Sequence, residues 1–302
     1  MSERADETSR RRRPRTGARG LAADLLELTK PGITALVLVT TAVGFYLASP
    51  GAPDPWLALH ALWGTGLLAA GTNALNQYAE REIDAGMKRT RERPLPAGRL
   101  RPLTALLFSA GISLLGAVHL AVFVNPLTAL LGTAALVIYI FAYTPLKRRT
   151  PLCTVVGAVP GAIPPMMGWT AVRGELDLAA LVLFGIVFLW QMPHFYAIAW
   201  LYRQDYARAG FPMLPTVEGG DERTARQIVL YTAALLAVSL LTTVLDLTGA
   251  IYFFGALTLG LAFLALGVAL ARGRTGLEAR RLFFGSIVYL PVLLVLMVVD
   301  KL

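Results

Sequence analysis

The sequence predicts an all-α integral membrane protein with nine transmembrane helices, and three observations carry that prediction. First, 56% of the 302 residues are hydrophobic and only 16% are charged, with a mean hydropathy of +0.59. Soluble domains run at about 45–50% apolar and about 25% charged. Second, the apolar residues gather in runs of about 20, the length that crosses a bilayer as a helix. The runs are continuous rather than alternating, so they read as helices and not as barrel strands, and only those two forms satisfy every backbone group in lipid. Third, threading the runs in order places almost all basic residues on one side of the membrane.

The elements follow in order. Residues 1–20 (MSERADETSRRRRPRTGARG) are Arg-rich and poor in apolar side chains. They are expected to form a disordered basic cytoplasmic tail, and no short apolar stretch with a cleavage site follows to make them a twin-arginine signal. Residues 21–302 are expected to be a single transmembrane domain. Its spans are read at 33–48, 57–77, 103–124, 127–142, 155–171, 178–200, 228–245, 250–271 and 282–299. The first is short for a span and is expected to begin earlier, within 21–30, with Pro31 as a kink. The fifth carries Gly157 and Gly161 with Pro160, Pro164 and Pro165, which predicts close helix approach and a bent cavity wall.

With the N-terminus inside, all of the 28 Lys and Arg residues except Arg173 and Lys301 fall on the cytoplasmic side. The odd number of spans is what makes this work, because one helix more or fewer would invert the later loops. The net charge of +9 therefore reads as topology, and no nucleic acid is implied. A single cysteine, Cys153, excludes an intrachain disulfide and any CxxC site. It is expected to be a small packing residue.

Chemistry is expected where two cytoplasmic loops break the pattern of short connections. The second span ends in Asn76, Glu80 and Asp84, four apart, which stacks them along one helix face. Oxygen donors of this kind make a poor zinc site and a good Mg²⁺ site, filled in part by substrate phosphates. Lys88, Arg89, Arg91 and Arg93 follow at once, and cations beside such a site suit a diphosphate. Lys147, Arg148 and Arg149 after the fourth span can add phosphate contacts. After the sixth span, Asp205 and Tyr206 stand where Glu80 and Asp84 stand after the second. Of the three histidines, His60 and His119 lie at the outer membrane face and are expected to be structural. His194 lies toward the cytoplasmic end of the sixth span, on the side of the acidic cluster, where an imidazole could ligate iron, bond a carboxylate or handle a proton. Asp221 is expected to cap the seventh span.

Five stretches carry a family resemblance: NQYAEREIDAGMKRTRERPLPAGR (76–99), YTPLKRRT (143–150), GAVPGAIPPMMGW (157–169), WQMPHF (190–195) and DYARAGFPMLP (205–215). They resemble the UbiA-type intramembrane prenyltransferases, and within them the heme O synthases (protoheme IX farnesyltransferases). The acidic helix end marks the superfamily. The MPHF, GFPMLP and PPMMGW stretches point to the heme branch.

The resemblance implies a UbiA-like bundle around a central cavity open toward the membrane. It implies transfer of a farnesyl group from farnesyl diphosphate to a vinyl group of heme b, giving heme o and diphosphate. By the family pattern Asn76, Glu80 and Asp84 hold the metal and diphosphate, Asp205 and Tyr206 form a second polar cluster with Asp205 as a further metal ligand, and His194 faces heme. Lys88, Arg89, Arg93, Lys147 and Arg148 bind phosphate. Glu80 stands where the superfamily often has Asp, and Cys153 where Asn is common. The implied cofactor is Mg²⁺, with heme b as substrate. The implied partners are the lipid bilayer of the cell (cytoplasmic) membrane and a heme A synthase or terminal-oxidase assembly factor. Another aromatic acceptor, a quinone or chlorin precursor, is the alternative within the class. A transporter is the alternative outside it, though transporters place their ionisable groups nearer the midplane.

Overall fold

The computed structural model describes residues 18–87 and 89–302. The chain runs α1 (Ala18–Leu28), α2 (Pro31–Ala48), α3 (Pro55–Gly86), α4 (Pro102–Phe123), α5 (Pro126–Val137), a π-helical turn (Ile138–Tyr143) and α6 (Thr144–Leu146). It continues through α7 (Cys153–Arg173), α8 (Leu178–Leu201), α9 (Arg203–Arg208), α10 (Gly220–Val244), α11 (Ala250–Gly273) and α12 (Gly276–Val299). Among the described residues, eight helical stretches are long and apolar enough to cross a membrane, with α5, the π turn and α6 counted as one. The long α3, at 32 residues, reaches about 48 Å, a length sufficient to cross, though it is not one of those eight. All nine predicted spans thus appear as helices, in the expected order.

Local chemistry starts these helices where the sequence says they should start. Proline opens α2, α3, α4 and α5, where its missing N–H costs nothing and its fixed φ suits the first turn. Asp54 caps α3 by accepting from the Trp56 amide at 2.8 Å, Asn125 caps α5 through the Thr128 amide at 2.8 Å, and Asp177 caps α8 through the Ala180 amide at 3.0 Å. Asp221 does not cap its helix. Gly219, at φ 65°, takes that position, and Asp221 sits in the first turn of α10 facing Arg203 at 3.3 Å. A carboxylate there still favours the positive helix end.

The first span differs from expectation. It is not one kinked helix but two helices separated by Thr29 and Lys30. Pro31 can donate no hydrogen bond back to Glu27, and its ring disfavours a helical residue before it. Lys30 accordingly takes a left-handed conformation, φ 48° and ψ 68°. The helix before the break, α1, begins at Ala18, inside the stretch expected to be tail; residues 1–17 of that tail lie outside the described residues. Helix α1 is held against the loop between α3 and α4. Arg99 bonds Asp24 at 2.9 Å and Glu27 at 2.5 Å, and Leu28 packs with Ala74, Leu95, Leu100 and Ala105.

Helix α7 is the buried axis of the bundle and runs unbroken through its three prolines. Its small residues set the spacing. A Cβ on Gly168 would lie 1.9 Å from the Thr41 carbonyl oxygen, and one on Gly44 would lie 2.1 Å from that of Pro165, so α2 and α7 cross backbone to backbone. The Gly157/Gly161 pair serves two different neighbours: Gly157 lies under the Tyr143 ring and Gly161 under the Gln191 amide. Around this axis Trp169, Trp190, Trp200, Tyr252 and Tyr289 anchor the largest apolar cluster. Leu107, Leu114, Phe141, Phe254 and Val295 face outward, as a lipid-facing surface requires. The protein is a multi-pass membrane protein.

Gly168→Ala is expected to lower stability by about 1–3 kcal/mol, because the added methyl must push backbone rather than a side chain. Heat denaturation in detergent followed by tryptophan fluorescence checks this; an unchanged midpoint would contradict the close crossing.

Candidate functional site

A cavity of about 480 Å³ opens inside the bundle, walled by α2, α3, α5 with its π turn, α7 and α8. That size lies within the usual range for small-molecule sites, about 300–1,000 Å³. Its polarity is graded along the helices. Ile33, Leu36, Val37, Leu68, Met167 and Val187 supply apolar wall, whereas Asn76, Glu80, Asp84, Arg89, Arg93 and Lys147 crowd the end next to the basic loops. Ile33 and Leu36 line the cavity and are also exposed, so the wall at the start of α2 is open.

The polar end is built on one face of α3. The spacing of four stacks Asn76, Glu80 and Asp84, all three buried, so that each points into the same corner. Each meets a cation from a different element. Lys30 donates to Asn76 Oδ1 at 3.0 Å, Lys147 to both Glu80 oxygens at 3.1 Å, and Arg93 Nη1 to Asp84 Oδ2 at 2.6 Å. The Asn76 amide also reaches Thr144 Oγ1 at 3.4 Å, and the Thr90 hydroxyl donates to the Asp84 carbonyl at 2.9 Å. Burial, then the Arg93 charge, pulls Lys30 down from 10.5 to about 8. Burial works against the Lys147 charge too, but the Glu80 carboxylate outweighs it and the group is raised.

Two tyrosines join the corner through backbone geometry. Pro145 lacks the N–H that would continue an α-helical ladder, and the turn before it widens to π form. The Thr144 amide and hydroxyl both donate to the Tyr139 carbonyl, the hydroxyl at 2.8 Å. This turn places Tyr139 and Tyr143 on the cavity wall. The Lys147 ammonium lies 5.9 Å from the Tyr143 ring centroid and 5.1 Å from that of Phe211.

The remaining expected residues divide. Arg89 is at the cavity mouth, its guanidinium 5.7 Å from the Tyr202 ring centroid. Tyr206 is buried and lines the cavity with Met213, in a cluster that includes Cys153 as a packing residue. His194 lines the deeper wall. Asp205 does not join Glu80 and Asp84: the short α9 turns it away from the cavity, and its carboxylate pairs with Arg208 at 2.7 Å. Arg148 is exposed and off the cavity wall, because the helical turn that aims Lys147 inward aims its neighbour outward. Lys88 lies outside the described residues. His60 and His119 pair with each other at 3.2 Å near Phe123, away from the cavity, in keeping with a structural role. Lys30 and Tyr139 belong to the corner although sequence reasoning did not name them. Lys30 was hidden among the anchoring cations, and its one signal was the Lys-Pro break at a span entrance.

Asn76, Glu80 and Asp84 offer oxygen only, which fits Mg²⁺. Among the described residues no three His, Cys, Asp or Glu side chains come close enough to enclose a metal on their own. A cation here would share its shell with oxygens from a substrate, as Mg²⁺ commonly does. Three buried acceptors, three cations and a greasy cavity behind them suit a molecule with a polyanionic head and an apolar tail, the description of a prenyl diphosphate in a membrane enzyme.

The comparisons agree. Residues 37–288 match the UbiA prenyltransferase family, and the chain belongs to that family. It is 49% identical over 288 residues to a protoheme IX farnesyltransferase of Solibacter usitatus (strain Ellin6076), covering 92% of this chain and 98% of that one. It is 51% identical over 243 residues to one of Sorangium cellulosum (strain So ce56), covering 80% and 86%. A digeranylgeranylglyceryl phosphate synthase structure superposes with a TM-score of 0.78 at 18% identity, covering 92% and 98%. A UbiA homolog from Archaeoglobus fulgidus bound to GPP and Mg²⁺ gives 0.66 at 17%, covering 91% and 99%.

Glu80→Gln is expected to destabilise the protein by about 3 kcal/mol, because Lys147 is left buried without its counter-ion. Adding Lys147→Met should recover most of that loss. Denaturation midpoints of the single and double variants check this, and simple additivity would show that the pair is not coupled.

Proposed function

We propose that this chain transfers the farnesyl group of farnesyl diphosphate to a vinyl group of heme b, releasing diphosphate and giving heme o. The observation that carries the reading is the corner where Asn76, Glu80 and Asp84 meet Lys30, Lys147 and Arg93 at one end of an apolar cavity. The identity to protoheme IX farnesyltransferases, over nearly the full length of both chains, supports heme as the acceptor.

Asn76, Glu80 and Asp84 are the residues that would hold Mg²⁺. The ion, when bound, neutralises diphosphate oxygens and eases their departure as charge builds on them. The chain's own cations do the rest. Lys30, Arg93 and Lys147 exchange their carboxylate and amide partners for phosphate oxygens, with Arg89 closing the mouth. Cations fixed where the leaving group gains charge stabilise the transition state more than the bound substrate. The C–O bond of the farnesyl ester breaks, and the allylic carbon bonds to the electron-rich vinyl carbon. Water then adds to the resulting cation beside the porphyrin and loses one proton, leaving a hydroxyalkyl group. Tyr139 and Tyr143 line the cavity at the polar corner, where aromatic rings can stabilise the developing positive charge. Apolar walls keep bulk water from the allylic cation until the new bond has formed. His194 faces the porphyrin and ligates its iron. The basic loops support a corner on the cytoplasmic side with the N-terminus inside. An enzyme of the heme A synthase kind would take the product onward.

The direct test incubates membranes containing the protein with heme b, farnesyl diphosphate and Mg²⁺. Heme o is the expected chromatographic product, and its absence would sink the reading. Asp84→Asn should abolish turnover at low and saturating Mg²⁺ while the protein stays in the membrane. Lys30→Met should weaken binding of inorganic diphosphate by about 10- to 100-fold, the loss expected for a charged hydrogen bond; wild-type affinity by calorimetry would remove Lys30 from the diphosphate site.

A further inference from the structure

One buried hydroxyl on the last helix meets the imidazole of His194. Ser286 of α12 is fully buried. Its Oγ lies 2.7 Å from His194 Nδ1. The same hydroxyl donates its proton to the Phe283 carbonyl at 2.5 Å. With that proton committed, Oγ can only accept from the imidazole, so Nδ1 carries the hydrogen and Nε2 carries the lone pair. No hydrogen bond ties Nε2 to another of the described residues, and the ring lines the cavity. The ring plane is also fixed. Trp190 stacks on one neighbour position at 5.2 Å and 21°, and Phe283 stacks at 5.2 Å and 28°. The Trp190 indole N–H in turn donates to the Ser286 carbonyl at 2.8 Å. Ser286 therefore receives two hydrogen bonds from α8, one on its backbone and one on its side chain, and ties both aromatic residues to α12.

We infer that Ser286 is a positioning residue that holds His194 as its Nδ1–H tautomer, with Nε2 free to ligate the iron of the heme substrate. The inference rests on the reading of His194 as the heme-facing ligand and adds the group that makes it one. A metal-bound imidazole depends on a partner at its other nitrogen to fix ring orientation and basicity, and removing such a partner commonly costs about 10- to 100-fold in affinity. Serine is suited to the task here because its hydroxyl can donate within its own helix turn and still accept across the interface.

The experiment uses the full chain in detergent with ferric heme b and no farnesyl diphosphate. Heme affinity and the imidazole-ligation signature are read by optical and electron paramagnetic resonance spectra, and inorganic diphosphate binding is read by calorimetry. Ser286→Ala should raise the heme Kd about tenfold and weaken the imidazole signature while diphosphate binding is retained, and Ser286→Thr should restore both heme readouts. His194→Ala should lose the signature altogether. If His194→Ala keeps the wild-type spectrum, iron ligation by His194 is wrong and the inference falls with it. If His194→Ala loses the signature but Ser286→Ala binds heme as wild type does, His194 stands and the role of Ser286 is overturned. If Ser286→Ala loses heme and diphosphate binding together and Ser286→Thr recovers neither, Ser286 belongs to the fold alone, which also overturns it.

Discussion

A carboxylate carried into a membrane-embedded bundle has to be answered by a cation, because bare charge in that medium is far too costly to keep. The rest of the site depends on this constraint. Glu80 and Asp84 are buried at the end of α3, and Lys147 and Arg93 arrive from two other elements to meet them. The neutral Asn76 amide accepts a hydrogen bond from Lys30 beside them. The three contacts pin the α2 entrance, the loop after α3 and the turn after α6 onto one helix face. They fix the fold at that end and also assemble opposite charges that can be redistributed onto a metal and a polyanion. A pair like this contributes little net stability compared with apolar packing. Under the proposed function, the same geometry is what an exchange of partners requires.

Much of the fold can be read from the sequence because spans are long and lipid is a simple solvent. Nine apolar runs give nine helices, and proline at their first positions marks several starts. The break at Thr29–Lys30 was less legible, since a proline at that point is equally compatible with a kink and with a full stop. The row of Asn76, Glu80 and Asp84 is legible because spacing of four on a helix leaves only one face for it. Arg93 is legible as a neighbour in sequence of that chemistry, and Lys147 as part of the basic run after the fourth span.

What sequence could not show was direction. Its distance past a span makes Asp205 the counterpart of Glu80, but six residues of α9 turn it toward Arg208. Arg148 shares a basic run with Lys147 and faces away from it. Lys30 looked like one more anchoring cation. Tyr139 lies in an ordinary apolar run and reaches the cavity only because the helix widens ahead of Pro145. Ser286 is a single small polar residue in the middle of a greasy segment, and nothing in its neighbours in sequence announces the histidine on another helix. Each of these depends on an angle about a helix axis or on a partner remote in sequence.

The opening at the start of α2 has a consequence for traffic. A prenyl diphosphate already lies in one leaflet with its head at the surface and its chain among the acyl tails. The cavity repeats that arrangement, with charges at one end and aliphatic wall behind, and Ile33 and Leu36 border both it and the exposed surface. Such a substrate can slide sideways from bilayer to protein at constant depth, without turning over or drawing its head through the hydrocarbon. To the lipid, the site is a patch of the same leaflet folded inward, and the barrier to entry is reduced to trading hydrated head-group contacts for the cations at the corner.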